Sequence, residues 1–258
     1  MDYQLKNKKV FISGSTKGIG YAAAKTIALE GAEVIINGSS QDSVNSSLEI
    51  LRKETDSKKI SGIACDFSKT EEIDALITQL GSVDVLINNV GIFANKEFFD
   101  TTDEDWQEFY DINVMSGVRL SRALMPKMME KGWGRIIFIS SESALNIPVE
   151  MVHYGMTKTA MLAISRGLAE MTTGTGVTVN SVLPGPTRTE GLEEGVPEDQ
   201  SFEDFQKEFF ENDRPTSILK RFADPQEVAN MIAYVASPLS SATNGAKLKV
   251  EGGVVKYI

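Results

Sequence analysis

The chain has 258 residues, of which 41% are hydrophobic and 24% are charged, and its formal net charge at pH 7 is -10. This length and composition predict one domain with a sizeable core, and the acidic balance argues against a nucleic-acid partner and against an anionic membrane surface. The one cysteine, Cys65, excludes an intrachain disulfide, and no apolar run is long enough to span a membrane, so we expect a cytoplasmic protein in which Cys65 is a small buried residue rather than a nucleophile.

Short apolar runs alternate with longer amphipathic stretches along the chain. The strands predicted from these runs are Val10–Ser13, Val34–Asn37, Ser61–Cys65, Val83–Asn88, Ile136–Ser140, Val177–Leu183 and Lys247–Val250. The helices predicted between them are Gly18–Glu30, Asp42–Glu54, Lys69–Gln79, Asp103–Glu130, Val152–Met171 and Pro225–Ala236. Because the runs lack strict polar–apolar alternation, they indicate parallel strands that are covered by helices on both faces. We therefore predict a single α/β domain over residues 1–258, a Rossmann-like, doubly wound sheet of seven parallel strands.

A glycine-rich turn links the first predicted strand to the first predicted helix. After Ser13, the turn consists of Gly14, Ser15, Thr16, Lys17, Gly18, Ile19 and Gly20. Glycines let a backbone turn tightly and approach a pyrophosphate, whose charge is stabilised at the N-terminus of the following helix. In this position of a β–α unit, the turn predicts a dinucleotide-binding site.

Two segments depart from the regular alternation. The stretch Asp103–Lys131 is long for one helix and carries an apolar stripe, which predicts either a subunit interface or ordinary core packing. Residues 190–215 are acidic, contain Gly and Pro, and include Phe202, Phe205, Phe209 and Phe210. Their place between the sixth strand and the last helix predicts a substrate lid at the carboxyl edge of the sheet, with a solvated insertion as the alternative.

Tyr154 and Lys158 are four residues apart in a predicted helix, so their side chains share one face. A nearby ammonium group favours the phenolate, and we expect it to lower the pKa of Tyr154 so that the phenol can exchange protons with a carbonyl or alcohol oxygen. Taken alone, the pair is more typical of an ordinary exposed helix face, because a Tyr and a Lys occur at this spacing often by chance. Its interpretation therefore depends on the rest of the chain.

Six segments, taken in chain order, resemble the motifs of the short-chain dehydrogenase/reductase family. They are Gly14-x-x-x-Gly18-x-Gly20, Asn88-Asn89-Val90-Gly91, Asn113 in the long helix, Gly134 to Ser141 on the fifth strand, the Tyr154 and Lys158 pair, and Pro184-Gly185-Pro186-Thr187-Arg188-Thr189. Ser13 and Val90 stand where the family usually has Thr and Ala. The resemblance covers essentially the whole chain and is closest to 3-oxoacyl-[acyl-carrier-protein] reductases. It implies an NAD(P)(H)-dependent oxidoreductase that interconverts a ketone and a secondary alcohol.

The resemblance also implies a role for each catalytic position. Tyr154 would donate a proton to the developing alkoxide, while Lys158 would lower the pKa of that tyrosine and bind the nicotinamide ribose. Ser141 would hydrogen-bond the carbonyl oxygen, and Asn113 would anchor a water that connects Lys158 to solvent. Ser140 is the alternative for the serine role, but its spacing to Tyr154 fits less well, so we expect it to be structural.

The cofactor-binding residues implied by the resemblance extend beyond the glycine turn. They are Gly14 to Gly20, Ser39, Asp66, Phe67, Asn89, Gly91, Tyr154, Lys158, Pro184, Gly185, Thr187 and Thr189. The second strand ends Asn37-Gly38-Ser39-Ser40, without the carboxylate that holds a ribose 2′-hydroxyl in NAD-dependent members. Lys17 lies where NADP-preferring relatives often carry a base. NADP(H) is therefore favoured over NAD(H), although the arginine common in such enzymes is replaced by Ser39.

The substrate stays open between two classes. A 3-oxoacyl thioester fits the closest resemblance, but acidic carrier proteins need basic docking patches, and the lid is acidic. A small ketone, sugar or cyclic alcohol is an equal contender, and a nucleotide-binding regulator is a weaker one. Candidates for the pocket wall are Glu142, Asn146, Val149, His153 and the lid phenylalanines. We expect a homo-oligomer, either a tetramer or a dimer, and no metal.

Overall fold

The computed structural model describes residues 2–257. Its strands are β1 (Lys9–Ile12), β2 (Glu33–Gly38), β3 (Ile60–Ala64), β4 (Val85–Asn88), β5 (Gly134–Ile139), β6 (Val177–Pro184) and β7 (Lys247–Val250). Within the described chain they form one 7-stranded sheet in the order β3-β2-β1-β4-β5-β6-β7. Every pairing is parallel. The prediction of a doubly wound, seven-stranded parallel sheet is confirmed.

Helices cover both faces of the sheet, as the apolar strands predict. They are α1 (Gly18–Leu29), α2 (Gln41–Thr55), α3 (Thr70–Leu80), α4 (Asp103–Phe109), α5 (Ser116–Lys131), α6 (Val152–Met171), α7 (Glu190–Glu193), α8 (Phe202–Asn212) and α9 (Pro225–Ala236). One core cluster joins α1, α2 and α9 to the sheet, and the other joins α3, α5 and α6 to the opposite face. In residues 2–257, no helix combines the length and the apolar character that crossing a membrane requires.

The long helix predicted over 103–130 is not a single α-helix. A π-helical turn, Tyr110–Met115, separates α4 from α5 while the chain continues in the same direction. Thr102 begins the run with a capping box, in which its side chain accepts from the Asp105 amide and the Asp105 carboxylate accepts from the Thr102 amide. Such π turns insert an extra residue and are frequent at functional sites. Asn113 lies within this one and is 0% exposed.

The strand order places β1 beside β4 at the centre of the sheet. From β1 the chain winds outward to β2 and β3, and from β4 it winds the other way to β5, β6 and β7. Where the winding direction reverses, the loops at the carboxyl ends of the two strands diverge and leave a crevice. The glycine turn after β1 and the segment Asn89-Val90-Gly91 after β4 both lie at this crevice.

Candidate active site

The glycine turn after β1 depends on three glycines for different reasons. Gly14 and Gly18 have φ of 59° and 60°, a left-handed conformation that favours glycine. Gly20 lies within α1, where a Cβ would come within 2.5 Å of the Gly14 carbonyl oxygen and 2.9 Å of the Ser15 Cα. The backbone of the turn is therefore packed against the first turn of α1, as a dinucleotide-binding turn requires.

Side chains from neighbouring strands hold this turn in place. The Ser13 hydroxyl accepts from the amides of Asn89 and Val90, at 3.0 Å each. Asn89 Nδ2 donates to the carbonyl oxygens of Ser13 and Gly14 at 3.0 and 2.7 Å. Asn37 Oδ1 accepts from the Gly14 amide at 2.9 Å. Asn37 was not predicted as a site residue, because its strand-end position alone does not reveal a contact with a loop 23 residues away.

The predicted cofactor residues in and near the turn face in different directions. The Ser15 side chain is buried, donates to the Ile12 carbonyl and accepts from the Asn37 amide, so it stabilises the turn from inside. Lys17 and Ser39 are exposed beside the crevice. A Cβ on Gly38 would come within 2.6 Å of Ser43 Oγ, which makes a larger residue at that strand end crowded.

An acidic side chain from the predicted lid, residues 190–215, reaches the first residue of α1. Glu190 Oε2 accepts a hydrogen bond from the Gly18 amide at 3.0 Å. This amide is one of the first four N–H groups of the helix, which have no partner inside it and favour an anionic oxygen. Sequence reasoning missed the contact because its partners are 172 residues apart. It shows that the turn accommodates an anionic oxygen at Gly18.

Asp66 and Phe67, predicted to border the adenine, differ in burial. Asp66 Oδ1 accepts from the Ser68 amide and hydroxyl at 3.0 and 2.8 Å, and its carboxylate is partly exposed after β3. These hydrogen bonds hold the pKa of Asp66 below its usual range. The Phe67 side chain instead lies in the core against the α3 face of the sheet. Only the backbone of Phe67 is left to border a ligand.

Ser141 and Tyr154 meet at the carboxyl edge of β5. Ser141 follows the strand directly, and its Oγ accepts from the Ser143 amide at 3.1 Å, which fixes the start of a short 3-10 turn. Tyr154 lies in the first turn of α6, close enough to Ser141 for that side chain to lower the pKa of the phenol. The two predicted catalytic hydroxyl groups are therefore brought together.

Lys158 lies one turn further along α6, with Nζ 5.5 Å from the centroid of the Tyr154 ring. Its Nζ donates to the Ile139 carbonyl at 3.0 Å, at the end of β5. Burial lowers the pKa of Lys158 to about 8. The Lys158 carbonyl accepts from Ser140 Oγ at 2.8 Å, so Ser140 has the structural position that was expected for it.

The expected lowering of the tyrosine pKa is not found. Burial raises the pKa of Tyr154 to about 12, and the neighbouring Ser141 side chain offsets only part of this effect. The prediction was wrong because helix spacing indicates proximity but not orientation: Lys158 Nζ points to the Ile139 carbonyl, and loss of hydration dominates at the phenol. The phenol therefore keeps its proton near neutral pH.

Asn113 connects the π turn to the loop after β4 and to α6. Its Oδ1 accepts from the Ile92 amide at 2.7 Å, and its Nδ2 donates to the Ile92 carbonyl at 3.0 Å and to Thr157 Oγ1 at 3.1 Å. A Cβ added to Gly91 would lie 3.3 Å from both Asn113 Oδ1 and Lys158 Nζ. Asn113 and Lys158 therefore flank the same glycine at the crevice.

The Pro-Gly segment after β6 completes the far side of the crevice. Pro184 ends β6, and a Cβ on Gly185 would come within 2.6 Å of the Glu251 Cα. Thr187 Oγ1 donates to the Gly185 carbonyl at 2.8 Å, which closes the turn. A Cβ on Gly18 would lie 3.2 Å from Thr189 Cγ2, so the end of this segment touches the glycine turn.

A buried ion pair lies next to the catalytic serine. Arg214 Nε donates to Glu142 Oε1 at 2.8 Å, and the two side chains are only 8% and 4% exposed. Burial raises the pKa of Glu142, and the guanidinium of Arg214 opposes that change. The charges of both residues influence the pKa of Tyr154. The pair therefore joins the loop after β5 to the chain that follows α8.

The other residues predicted for the pocket wall differ in their surroundings. The phenylalanines of α8 pack against one another and against Phe222, with ring centroids 5.0 to 5.9 Å from the Phe222 ring. They form an aromatic cluster that anchors α8, and Phe202, Phe205 and Phe209 stay partly exposed. His153 is 1% exposed and packs edge-on against Phe109 and Trp106, so it is a core residue. Asn146 and Val149 are exposed in the loop before α6.

Cys65 matches its prediction. It is buried at the end of β3, and burial raises the pKa of its thiol to about 12, which keeps it protonated and unreactive.

The chain resembles known oxidoreductases over its full length. A family model described as enoyl-(acyl carrier protein) reductase matches residues 14–255. The uncharacterized oxidoreductase YvrD of Bacillus subtilis is 48% identical, with 100% of both chains aligned. The 3-oxoacyl-[acyl-carrier-protein] reductase FabG of Aquifex aeolicus is 30% identical over 98% of this chain and 100% of that protein. The structure of L-sorbose reductase from Gluconobacter frateurii, complexed with NADPH and L-sorbose, superposes with a TM-score of 0.93 at 28% identity, covering 100% of both chains.

Proposed function

The chain belongs to the short-chain dehydrogenase/reductase family, and we propose that within it the protein is an NADP(H)-preferring enzyme acting on a small ketone and its alcohol. As a member of this family it is an oxidoreductase that interconverts a ketone and a secondary alcohol with a nicotinamide nucleotide. The observation that carries the proposal is that Asn113 and Lys158 flank Gly91 at the carboxyl edge of the sheet, with Tyr154 beside Lys158 and Ser141 beside Tyr154.

The residues at the crevice fit a dinucleotide. The glycine turn brings its backbone to the N-terminus of α1, where the Gly18 amide already donates to an anionic oxygen. Gly14 to Gly20, Ser39, Asp66, Phe67, Asn89 and Gly91 would hold the nucleotide on one side, and Pro184, Gly185, Thr187 and Thr189 would hold the nicotinamide end. When bound, NADP(H) supplies or accepts the hydride.

In the direction of reduction, Tyr154 donates the proton. Its phenol is protonated at neutral pH because burial raises its pKa to about 12. A carbonyl oxygen that becomes an alkoxide gains basicity and accepts that proton, while the Ser141 hydroxyl donates to the same oxygen and stabilises its charge. Lys158 binds the nicotinamide ribose and stabilises the resulting phenolate by its charge. Asn113 positions the loop after β4. It anchors the water that connects Lys158 to solvent, from which Tyr154 regains its proton.

The preference for NADP(H) rests on Lys17 and Gly38. Lys17 is exposed at the N-cap of α1, and no acid follows β2 at Gly38, Ser39 or Ser40 to repel a 2′-phosphate. An ammonium group beside a phosphate makes a charge-assisted contact. The neighbouring position of Gly38 is too crowded for an acid to fit without displacing Ser43 or Thr16.

We expect Lys17→Gln to reduce the preference for NADPH over NADH, measured as the ratio of their kcat/KM values, by about fivefold to tenfold, because an exposed charge–phosphate contact is partly screened. Lys53→Gln is the control, since Lys53 is also an exposed lysine but lies in the last turn of α2, away from the crevice. An unchanged ratio in Lys17→Gln would remove Lys17 from the proposal.

The proposal is tested by a spectrophotometric panel. Oxidation of NADPH and NADH at equal concentration is followed with diketones, keto-sugars, quinones and 3-oxoacyl thioesters. We expect turnover of at least one ketone class and faster turnover with NADPH. A clear preference for NADH would contradict the role of Lys17 and Gly38 in selecting NADP(H). The absence of turnover with every ketone would contradict the proposed oxidoreductase activity.

A 3-oxoacyl thioester is the second candidate substrate. Its support is the likeness to the FabG protein of Aquifex aeolicus and to the acyl-carrier-protein reductase family model. Faster reduction of a 3-oxoacyl thioester than of any other ketone in the panel would favour it.

Three further features belong to the proposal. Residues 1–258 form a single domain with residues 190–215 as its lid, which the contact of Glu190 with Gly18 supports. The chain associates as a dimer or tetramer, with the long helical run from Asp103 as the expected interface. Its compartment is the cytoplasm, which the one buried cysteine supports.

A further inference from the structure

The Glu142–Arg214 pair leaves two polar atoms free for a ligand. Glu142 Oε1 accepts from both Arg214 Nε at 2.8 Å and Ser143 Oγ at 3.2 Å, but the buried Glu142 Oε2 has no hydrogen-bond partner among residues 2–257. Arg214 Nη1 donates to the Asp213 carbonyl at 2.9 Å, and no hydrogen bond of Nη2 is found within the same residues. An acceptor and a donor of the same ion pair therefore have no hydrogen-bond partner among these residues.

A purely structural ion pair would use these atoms differently. Arginine and carboxylate groups pair most strongly through two parallel hydrogen bonds, which would engage both carboxylate oxygens. Here the pair uses one oxygen, and a buried carboxylate oxygen without a donor is destabilising. The arrangement is favourable when a ligand supplies the missing donor.

The Glu142–Arg214 pair lies close to the catalytic hydroxyl groups of Ser141 and Tyr154. Glu142 directly follows Ser141, and the Ser143 residue that donates its amide to Ser141 Oγ at 3.1 Å also donates its hydroxyl to Glu142 Oε1 at 3.2 Å. The charges of Glu142 and Arg214 act on the Tyr154 phenol in opposite senses. The pair therefore lies next to the residue that would hold the carbonyl oxygen of the substrate.

The chemistry of the pair selects among substrate classes. A carboxylate or phosphate on the substrate would be repelled by Glu142, and an ammonium group would be repelled by Arg214. An alkyl chain or acyl thioester would leave both polar atoms without partners. A hydroxyl group both donates and accepts, so it satisfies Oε2 and Nη2 alike.

Resting on the proposed function, we propose that Glu142 and Arg214 determine substrate specificity by binding hydroxyl groups next to the reacting carbon. Glu142 Oε2 accepts from one hydroxyl and Arg214 Nη2 donates to another. The substrate is then a polyhydroxylated ketone and its product a polyol, rather than a fatty acyl thioester or an apolar ketone.

The test compares oxidation of a set of hexitols with that of 2-hexanol, using NADP+, because hexitols avoid the ring closure that hides the carbonyl of a ketohexose. We expect the kcat/KM of the wild-type enzyme for at least one hexitol to exceed that for 2-hexanol by about 100-fold or more. Glu142→Gln is expected to lower that ratio by about tenfold to 100-fold, mainly through KM. Glu170→Gln, which removes the acid of the exposed Arg166–Glu170 pair on α6, is the control and should leave the ratio unchanged.

A second variant covers the case in which Glu142→Gln does not fold because Arg214 is left without its partner. Glu142→Gln combined with Arg214→Met removes both charges and leaves neither buried alone. This double variant is expected to lose the preference for the hexitol to the same extent as Glu142→Gln or to a greater one. Its affinity for NADPH, measured by fluorescence titration, should be unchanged.

The outcomes separate the inference from the proposed function. Equal or faster oxidation of 2-hexanol, faster reduction of a 3-oxoacyl thioester, or a preference for a keto acid would overturn the inference while leaving a carbonyl oxidoreductase. An equal loss with both alcohols in Glu142→Gln would assign the pair a structural role. If the folded wild-type protein binds NADPH and converts none of these substrates, the proposed function fails as well.

Discussion

Tyr154→Phe is expected to lower kcat by about 10²- to 10⁴-fold, because the variant lacks the proton donor while keeping the shape of the side chain. The variant removes only the hydroxyl group, which lies beside Ser141, so the free energy of unfolding should fall by roughly 0.5–1.5 kcal/mol at most. Turnover is measured by nucleotide absorbance, and NADPH binding by fluorescence titration should be retained.

Tyr234→Phe is the matched control for this variant. Tyr234 lies on α9, is 37% exposed, and its helix packs on the face of the sheet opposite to that of α6, so the kcat of Tyr234→Phe should equal that of the wild-type protein. If Tyr154→Phe kept its turnover, another group would have to donate the proton. If biological activity persisted without turnover, the regulatory alternative would gain support.

Gly20→Ala is expected to weaken NADPH binding by more than about tenfold and to lower the free energy of unfolding by about 1–3 kcal/mol. The added methyl would lie 2.5 Å from the Gly14 carbonyl oxygen and from Asn89 Nδ2, so the turn or α1 has to move. Urea unfolding measures the stability, and nucleotide titration measures the affinity.

Gly167→Ala separates this steric effect from helix propensity. Gly167 is also a helical glycine, on α6, but its added Cβ would meet nothing within 4 Å. This variant should be as stable as the wild-type protein or more stable by up to about 1 kcal/mol, because alanine is the better helix former. Equal behaviour of the two variants would show that the glycine turn tolerates a side chain.

The parts of the fold that sequence could predict are those encoded by local pattern. The apolar run at Val34–Asn37 identifies a buried strand because every residue of such a strand is covered on both faces. The glycine turn and the Tyr154–Lys158 pair are also local, so their elements were predicted correctly. Strand ends shifted by one or two residues because hydrogen bonding, not hydrophobicity, defines them: Val83 is buried but lies outside the ladder of β4.

The parts that sequence could not predict depend on orientation or on distant segments. Helix spacing places Lys158 near Tyr154, but the direction of the ammonium group is set by the Ile139 carbonyl. The π turn around Asn113 has no signature in apolar periodicity. The phenylalanines of α8 pack against Phe222, an aromatic partner that their own segment does not reveal.

The hydrogen bond from the Gly18 amide to Glu190 connects the start of α1, after β1, to the chain that follows β6. The free energies of these two segments therefore depend on each other. A single N–H donates well to one anionic oxygen at a time, so any phosphate oxygen that binds at Gly18 competes with the carboxylate. The free energy of the contact between Gly18 and Glu190 is then subtracted from the binding free energy of that phosphate. By reciprocity, a bound phosphate weakens the hydrogen bond of Glu190 by the same amount. One amide proton thus couples the position of the Glu190 side chain to the presence of a phosphate at Gly18.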